Sequence, residues 1–159
     1  MNEKAFTLVE LIAVVVIMAI IMVIATPNIV NMLDKGKKED YVADAKNFIS
    51  KATYEYRKDE KNLCDEKDIE SNECSISLNK LQISEEDQKD PYGLKYDLNN
   101  SKIIFSTEED SSEGLPKRQV RITLISHDTN TCYMINSVQK TDLNKDSVKK
   151  GTYVNGDCS

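Results

Sequence analysis

The chain contains no tryptophan, one histidine, three prolines and five glycines, and its four cysteines never fall in a C-x-x-C pair. Each shortage removes a class of function. Without C-x-x-C spacing a zinc site lacks its usual frame. With His127 as the sole imidazole and no Gly-x-Ser-x-Gly elbow, the stretch "SHDTN" reads as a turn rather than part of a hydrolase triad. Positive charge is in deficit, 21 Lys and Arg against 27 Asp and Glu, for a net charge of −6. Phosphate neutralisation dominates nucleic-acid affinity, so no direct nucleic-acid partner is expected. Acidic runs such as "SEEDQKD" and "STEEDSSEG" are too short to form a disordered tail.

What the chain does have is unevenly placed. From Leu11 to Ala25 no side chain is charged, amidic or hydroxylic. Counting Phe6, Leu8 and Val9, the apolar segment reaches about 20 residues, or about 30 Å as a helix, enough to cross a bilayer core. The rest is strongly polar and leaves room for one soluble domain of roughly a hundred residues. Ahead of the apolar run the only basic groups are Lys4 and the amino terminus, an arrangement that keeps residues 1–5 in the cytoplasm and exports the polar part. Exported cysteines read as disulfides. Four of them allow three connectivities, and Cys64–Cys74 with Cys132–Cys158 is favoured because each pair closes its own segment.

One residue breaks the apolar run. A carboxylate at the centre of a membrane helix costs roughly 2.5–3.5 kcal/mol on insertion scales, so Glu10 requires a reason. The residues around it, Phe6 to Ile12, read "FTLVELI". This stretch resembles the class III leader and core of type IV pilins and pseudopilins. The resemblance implies that a prepilin peptidase cuts between Ala5 and Phe6 and methylates the new amine of Phe6. Ala5 stands where that family has glycine, and alanine is the next smallest residue. Cleavage creates an amine with a reference pKa near 8 beside the bilayer, and in a filament it can lie against Glu10 of a neighbour. Such a pair sets register more than it adds stability.

The same resemblance implies the pilin fold, an α+β architecture in which a long N-terminal helix, membrane-spanning in its first half, packs on a small antiparallel sheet with a disulfide-tied C-terminal region. Residues 1–5 are the leader, 6–30 the membrane and filament-core half of the helix, 31–58 its amphipathic half, and 59–159 the globular head. Pro27 lacks a backbone donor and is expected to kink the helix, with Gly36 as a second weak point. Tyr41, Ala45, Phe48, Ala52 and Tyr56 recur at helical spacing, widened by Val42 and Ile49, and predict a core-facing stripe that ends near Arg57 to Asp59.

Beyond the helix, residues 59–77 read as a polar loop stapled by Cys64 and Cys74, followed by a short helix or turn over Leu78 to Ile83. "DPYGLKYDL" marks a turn at Asp90 to Gly93 and a strand over Leu94 to Leu98, and it resembles the Asp-Pro-aromatic-Gly turn that opens the sheet in many pseudopilins. Further strands are expected at Lys102–Ser106, Gln119–Ser126 and Cys132–Val138, with Asn99-Asn100 as a hairpin signal, which together predict a meander. The tail from Gln139 is polar. In it Asp142, Asn144 and Asp146 alternate like the first half of a calcium loop, although Ser147 stands where that loop has glycine. Calcium is the one cofactor with a candidate site.

The reading is therefore a structural subunit and not an enzyme. It starts as a single-pass protein of the cytoplasmic membrane with an exported head, and then enters an extracellular pilus with other pilin subunits. An inner-membrane platform and an assembly ATPase are implied by the resemblance. The alternatives are a pseudopilin of a type II secretion or competence system, a minor pilin, or a membrane-tethered binding domain with an uncleaved anchor.

Overall fold

The computed structural model of the chain describes residues 7–58, 63–68, 73–108, 117–154 and 157–159. The chain divides into two units, Met1–Gly36 and Lys37–Ser159. Helix α1, Leu8–Lys58, provides the described regular structure of the first unit and one layer of the second.

In the first unit the side chains from Thr7 to Ile24 are all exposed, and the apolar ones strongly so, with Leu8 and Val23 each at 76%. The β-branched cluster Val14–Ile17 is a poor helix former in water. In hydrocarbon the backbone must satisfy its own hydrogen bonds, and a helix does so whatever the propensity. This helix is long and apolar enough to cross a membrane. An uninterrupted apolar surface of this kind needs lipid or protein around it. The helix runs through Pro27, which has no N–H to give the Val23 carbonyl. On either side of it, Thr26 Oγ1 donates to the Met22 carbonyl at 2.6 Å and Asn28 Nδ2 to the Ile24 carbonyl at 3.4 Å.

In the second unit the remainder of α1 is amphipathic. The buried positions are Tyr41, Val42, Ala45, Phe48, Ile49, Ala52 and Tyr56, the stripe predicted from periodicity, and the described helix runs to Lys58. Burial of Tyr41, Phe48, Ile49 and Tyr56 contributes roughly 1.5–3 kcal/mol each, which is what fixes this segment as a helix.

The stripe faces a sheet built from β1 (Glu66–Asp68), β2 (Glu73–Ser77), β3 (Lys95–Tyr96), β4 (Lys102–Glu108), β5 (Lys117–His127), β6 (Thr131–Gln139), β7 (Lys149–Val154) and β8 (Asp157–Cys158). Among the described residues the order is β1-β2-β4-β5-β6-β7-β8, every pairing is antiparallel, and β3 pairs with β5. Ile76, Ile103, Phe105, Ile122, Leu124, Tyr133 and Ile135 form the helix-facing core. Rings settle the fit: Tyr56 stacks on Phe105 with centroids 4.6 Å apart, while Tyr41 and Phe48 meet the Tyr96 ring edge-on at 5.6 and 5.3 Å. Tyr41 also donates its hydroxyl to the Tyr133 and Leu124 carbonyls at 3.0 and 3.3 Å, pinning helix to strands.

Three expectations are corrected. The stretch 59–77 contains two strands and is not simply a loop: β2 alternates with Cys74 and Ile76 inward, and it pairs with β4 from Cys74↔Phe105 to Ser77↔Lys102. The short strand was masked by serine and glutamate, which favour strands weakly. Asn99-Asn100 does not close a hairpin either. The strand before it shrinks to Lys95–Tyr96 and pairs with His127 and Ser126 of β5, so the simple meander is broken there. Asp97 explains the turn, because its Oδ1 accepts from the Asn99 and Asn100 amides at 3.1 and 3.0 Å. Finally, the polar tail contributes β7 and β8, whose inward residues are few.

A bulge bends the β5–β6 pair, where the three-residue step from Ile135 to Val138 faces the two-residue step from Leu124 to Ile122. The extra residue leaves Ser137 at φ 49°, with its amide donating to Thr123 Oγ1 at 3.2 Å.

Candidate assembly segment and polar sites of the head

Glu10 sits at the third position of α1. Its Oε2 accepts from the Thr7 amide at 3.0 Å and from the Thr7 hydroxyl at 2.8 Å, and Thr7 Oγ1 accepts from the Glu10 amide at 3.3 Å. This reciprocal arrangement is a capping box. The four N-terminal amides of a helix have no partner inside it, and Thr7 and Glu10 satisfy two exposed donors. The carboxylate is thereby turned back toward the N-terminal end of α1. Ala5 and Phe6, the expected cleavage and methylation positions, lie outside the described residues. The capping box was readable in the sequence as T-x-x-E ahead of an apolar run, and the motif resemblance hid it by explaining Glu10 another way.

Both cysteine pairs are bonded. Cys64 and Cys74 have Cα atoms 5.4 Å apart, and Cys132 and Cys158 5.9 Å apart. Cys132, Cys158 and Ile125 form a small second cluster, against which Met134 and Tyr153 pack. Gly151 is forced by that closeness, since a Cβ there would stand 2.7 Å from the Ser159 carbonyl oxygen and 3.2 Å from Cys158 Sγ. Gly36, in contrast, has nothing within 4 Å of such an atom, so no contact among the described residues requires glycine there.

Of the candidate calcium residues, Asp142 and Asp146 lie in two short 3-10 turns, Lys140–Asp142 and Lys145–Ser147, and Asn144 caps the second. Asn144 Oδ1 accepts from the Asp146 amide at 2.8 Å, Asn144 Nδ2 donates to the Asp142 carbonyl at 2.9 Å, and Asp142 Oδ1 accepts from Thr141 at 3.2 Å. These are turn-forming bonds. Among the described residues no group of three or more His, Cys, Asp or Glu side chains is arranged to hold a metal ion.

His127 stacks on Tyr153 with centroids 3.6 Å apart, and its Nε2 is 3.6 Å from Asp97 Oδ2. The neighbouring Ser126 hydroxyl is turned away from it, donating to Asp90 at 2.6 Å. The imidazole therefore joins β5 to β7. Asp97 is partly buried, which alone would raise its pKa. The Asn100 side chain, the Asn100 and Asn99 amides and His127 outweigh that and hold it below the usual carboxylate range.

Sequence reasoning read "DPYG" as a turn and missed what Asp90 does. The residue is 5% exposed. Its Oδ1 accepts from the Tyr92 and Leu94 amides at 2.9 and 2.7 Å, and its Oδ2 from Ser126. Gly93, at φ 88°, completes the turn in a conformation that side chains resist.

Residues 1–26 match the family model described as the prokaryotic N-terminal methylation motif. No curated protein and no solved structure matches the chain.

Proposed function

The chain carries the prepilin-type leader and methylation motif of type IV pilins and pseudopilins, and on that premise we propose that it is a structural subunit that polymerises with other pilin subunits into an extracellular filament for adhesion, motility or surface contact. The methylation motif on a long apolar helix is the observation that carries this reading. In it, prepilin peptidase removes residues 1–5 and methylates Phe6. Residues 6–30 then anchor the subunit in the cytoplasmic membrane, 31–58 carry the stem into the head, and 59–159 form the outer surface.

Assembly is the mechanism. The apolar helices supply cohesion, and the Phe6 amine of one subunit meets Glu10 of its neighbour, each offsetting the other's desolvation. The platform and assembly ATPase that the resemblance implies supply the work. Mass spectrometry of the mature N-terminus tests the premise. N-methylated Phe6 is expected, and a chain that keeps Met1 or begins at Thr26 overturns it.

A second reading, a pseudopilin, is favoured by the Asp90–Gly93 turn, which resembles the one opening the pseudopilin sheet. Electron microscopy of sheared cells separates the two. Abundant micrometre-scale fibres containing this chain support the pilin, and scarce short ones the pseudopilin.

A further inference from the structure

The stem helix and the segment that follows Leu81 enclose a cleft of about 300 Å3, lined by Asp44, Asn47, Phe48 and Lys51 on one side and by Ile83, Glu86, Asp87 and Lys89 on the other. Little spans it. Lys51 Nζ donates to the Gln82 carbonyl, and Ile83 packs against the core. The other bonds of the segment are internal, Ser84 Oγ to Asp87 Oδ2 at 2.6 Å and Gln88 Nε2 to the Ile83 carbonyl at 3.3 Å.

Asp44 is half-buried at the floor, where its Oδ2 accepts from the Tyr96 hydroxyl at 2.8 Å. The groups that face it come from every packed element. Its own helix supplies Asp40 and Lys51, and the opposing segment supplies Glu86, Asp87 and Lys89. The turn contributes Asp90, whose oxygens already accept three hydrogen bonds, and β3 contributes Tyr96. Carboxylates outnumber the lysines Lys51 and Lys89 around the cleft.

We propose that Asp44 is the proton-binding element of a clasp, which holds the segment 83–88 loosely on the stem when ionised and lets it close when protonated. Burial raises the pKa of Asp44 first, and the Asp40, Asp87 and Asp90 charges add to this against the Tyr96 hydrogen bond. Closing the segment over Asp44 buries it further and brings Asp87 nearer, so the closed head binds the proton more readily than the open one. Closure therefore strengthens as pH falls from the raised value toward the ordinary aspartate range, and is lost as pH rises through the raised value. On the filament reading proposed above, the head would tighten in acid without any partner.

Hydrogen exchange by mass spectrometry on the full-length chain in detergent tests this, with rates corrected for the intrinsic pH dependence. Amides 83–88 are expected to exchange about threefold or more slowly at pH 4, in the ordinary aspartate range, than at pH 7. Asp44→Asn keeps an acceptor for Tyr96 and should give the slow rate at both pH values. Asp87→Asn weakens the same field from the opposite wall and should shrink the wild-type difference without altering the helix. A wild-type chain with no pH difference, or a difference that survives undiminished in both variants, overturns the clasp. Neither result depends on filament formation.

Discussion

Replacing Asp90 by alanine should be among the most damaging single changes in the head, and replacing it by asparagine among the mildest at a buried charge. The carboxylate accepts three hydrogen bonds, from the Tyr92 and Leu94 amides and from the Ser126 hydroxyl. Bonds to a charged acceptor are worth about 1.5–3 kcal/mol each, and with the two amides only partly buried, water recovers some of that, so alanine should cost about 3–5 kcal/mol. Asparagine can place its carbonyl where Oδ1 receives both amides and its amide where a rotated Ser126 hydroxyl accepts, for a loss near 1 kcal/mol. Ser126→Ala removes one bond and should fall near 1 kcal/mol, with the Asp90→Ala, Ser126→Ala double variant less than additive. Urea unfolding of the full-length chain in detergent, followed by tyrosine emission because there is no tryptophan, gives the free energies. If alanine costs no more than asparagine, Asp90 is not the organiser of the turn and the reasoning fails.

Three further outcomes are expected. Glu10→Leu makes the membrane segment more apolar, yet it strands the Phe6 amine at a penalty of roughly 3–5 kcal/mol per added subunit, so the protein should be cleaved and accumulate in the membrane without appearing in sheared filaments; abundant filaments from this variant would refute the pairing. Thr7→Val should fray the start of α1 by about 1 kcal/mol and Thr7→Ser restore it, read from the carboxylate stretch of isotope-labelled Glu10, which an irrelevant Thr7 would leave unmoved. Asp97 acts opposite to Asp44: its ionised form contributes stability at neutral pH that is lost as pH falls below the ordinary aspartate range through its lowered value, so Asp97→Asn should flatten the acid limb of the urea midpoint, and an unchanged limb would dismiss it.

Legibility followed the length scale of the signal. The apolar run and the stripe from Tyr41 to Tyr56 each repeat over several turns, so periodicity alone placed them, and both cysteine pairs followed from each closing a short segment. β2 was lost because five residues with serine and glutamate on one face carry almost no hydrophobic alternation. β3 falls inside its expected span, but its partner was missed because pairing is set by packing far along the chain: Tyr96 lies beside Ser126 once its ring is wedged between Tyr41 and Phe48. Asp90 was read only as the start of a turn and Asp44 was not singled out, since nothing local distinguishes a carboxylate that the fold buries from one it leaves in water. Thr7 could have been read, as its capping partner is three residues away.

The two disulfides have a mechanical meaning that follows from strand order. Cys64–Cys74 locks the approach to β1 onto β2, and Cys132–Cys158 reaches across β7 to lock β8 onto β6. A sheet under load yields most easily by peeling, one hydrogen bond at a time from a free border. Here each border is sewn to a strand further in, so a pull on the head must shear many backbone bonds at once. In the filament proposed above, a subunit dragged by its tip would thus be protected against unzipping, and chemical reduction of the two bridges would turn a shear-resistant head into one that unravels from its borders.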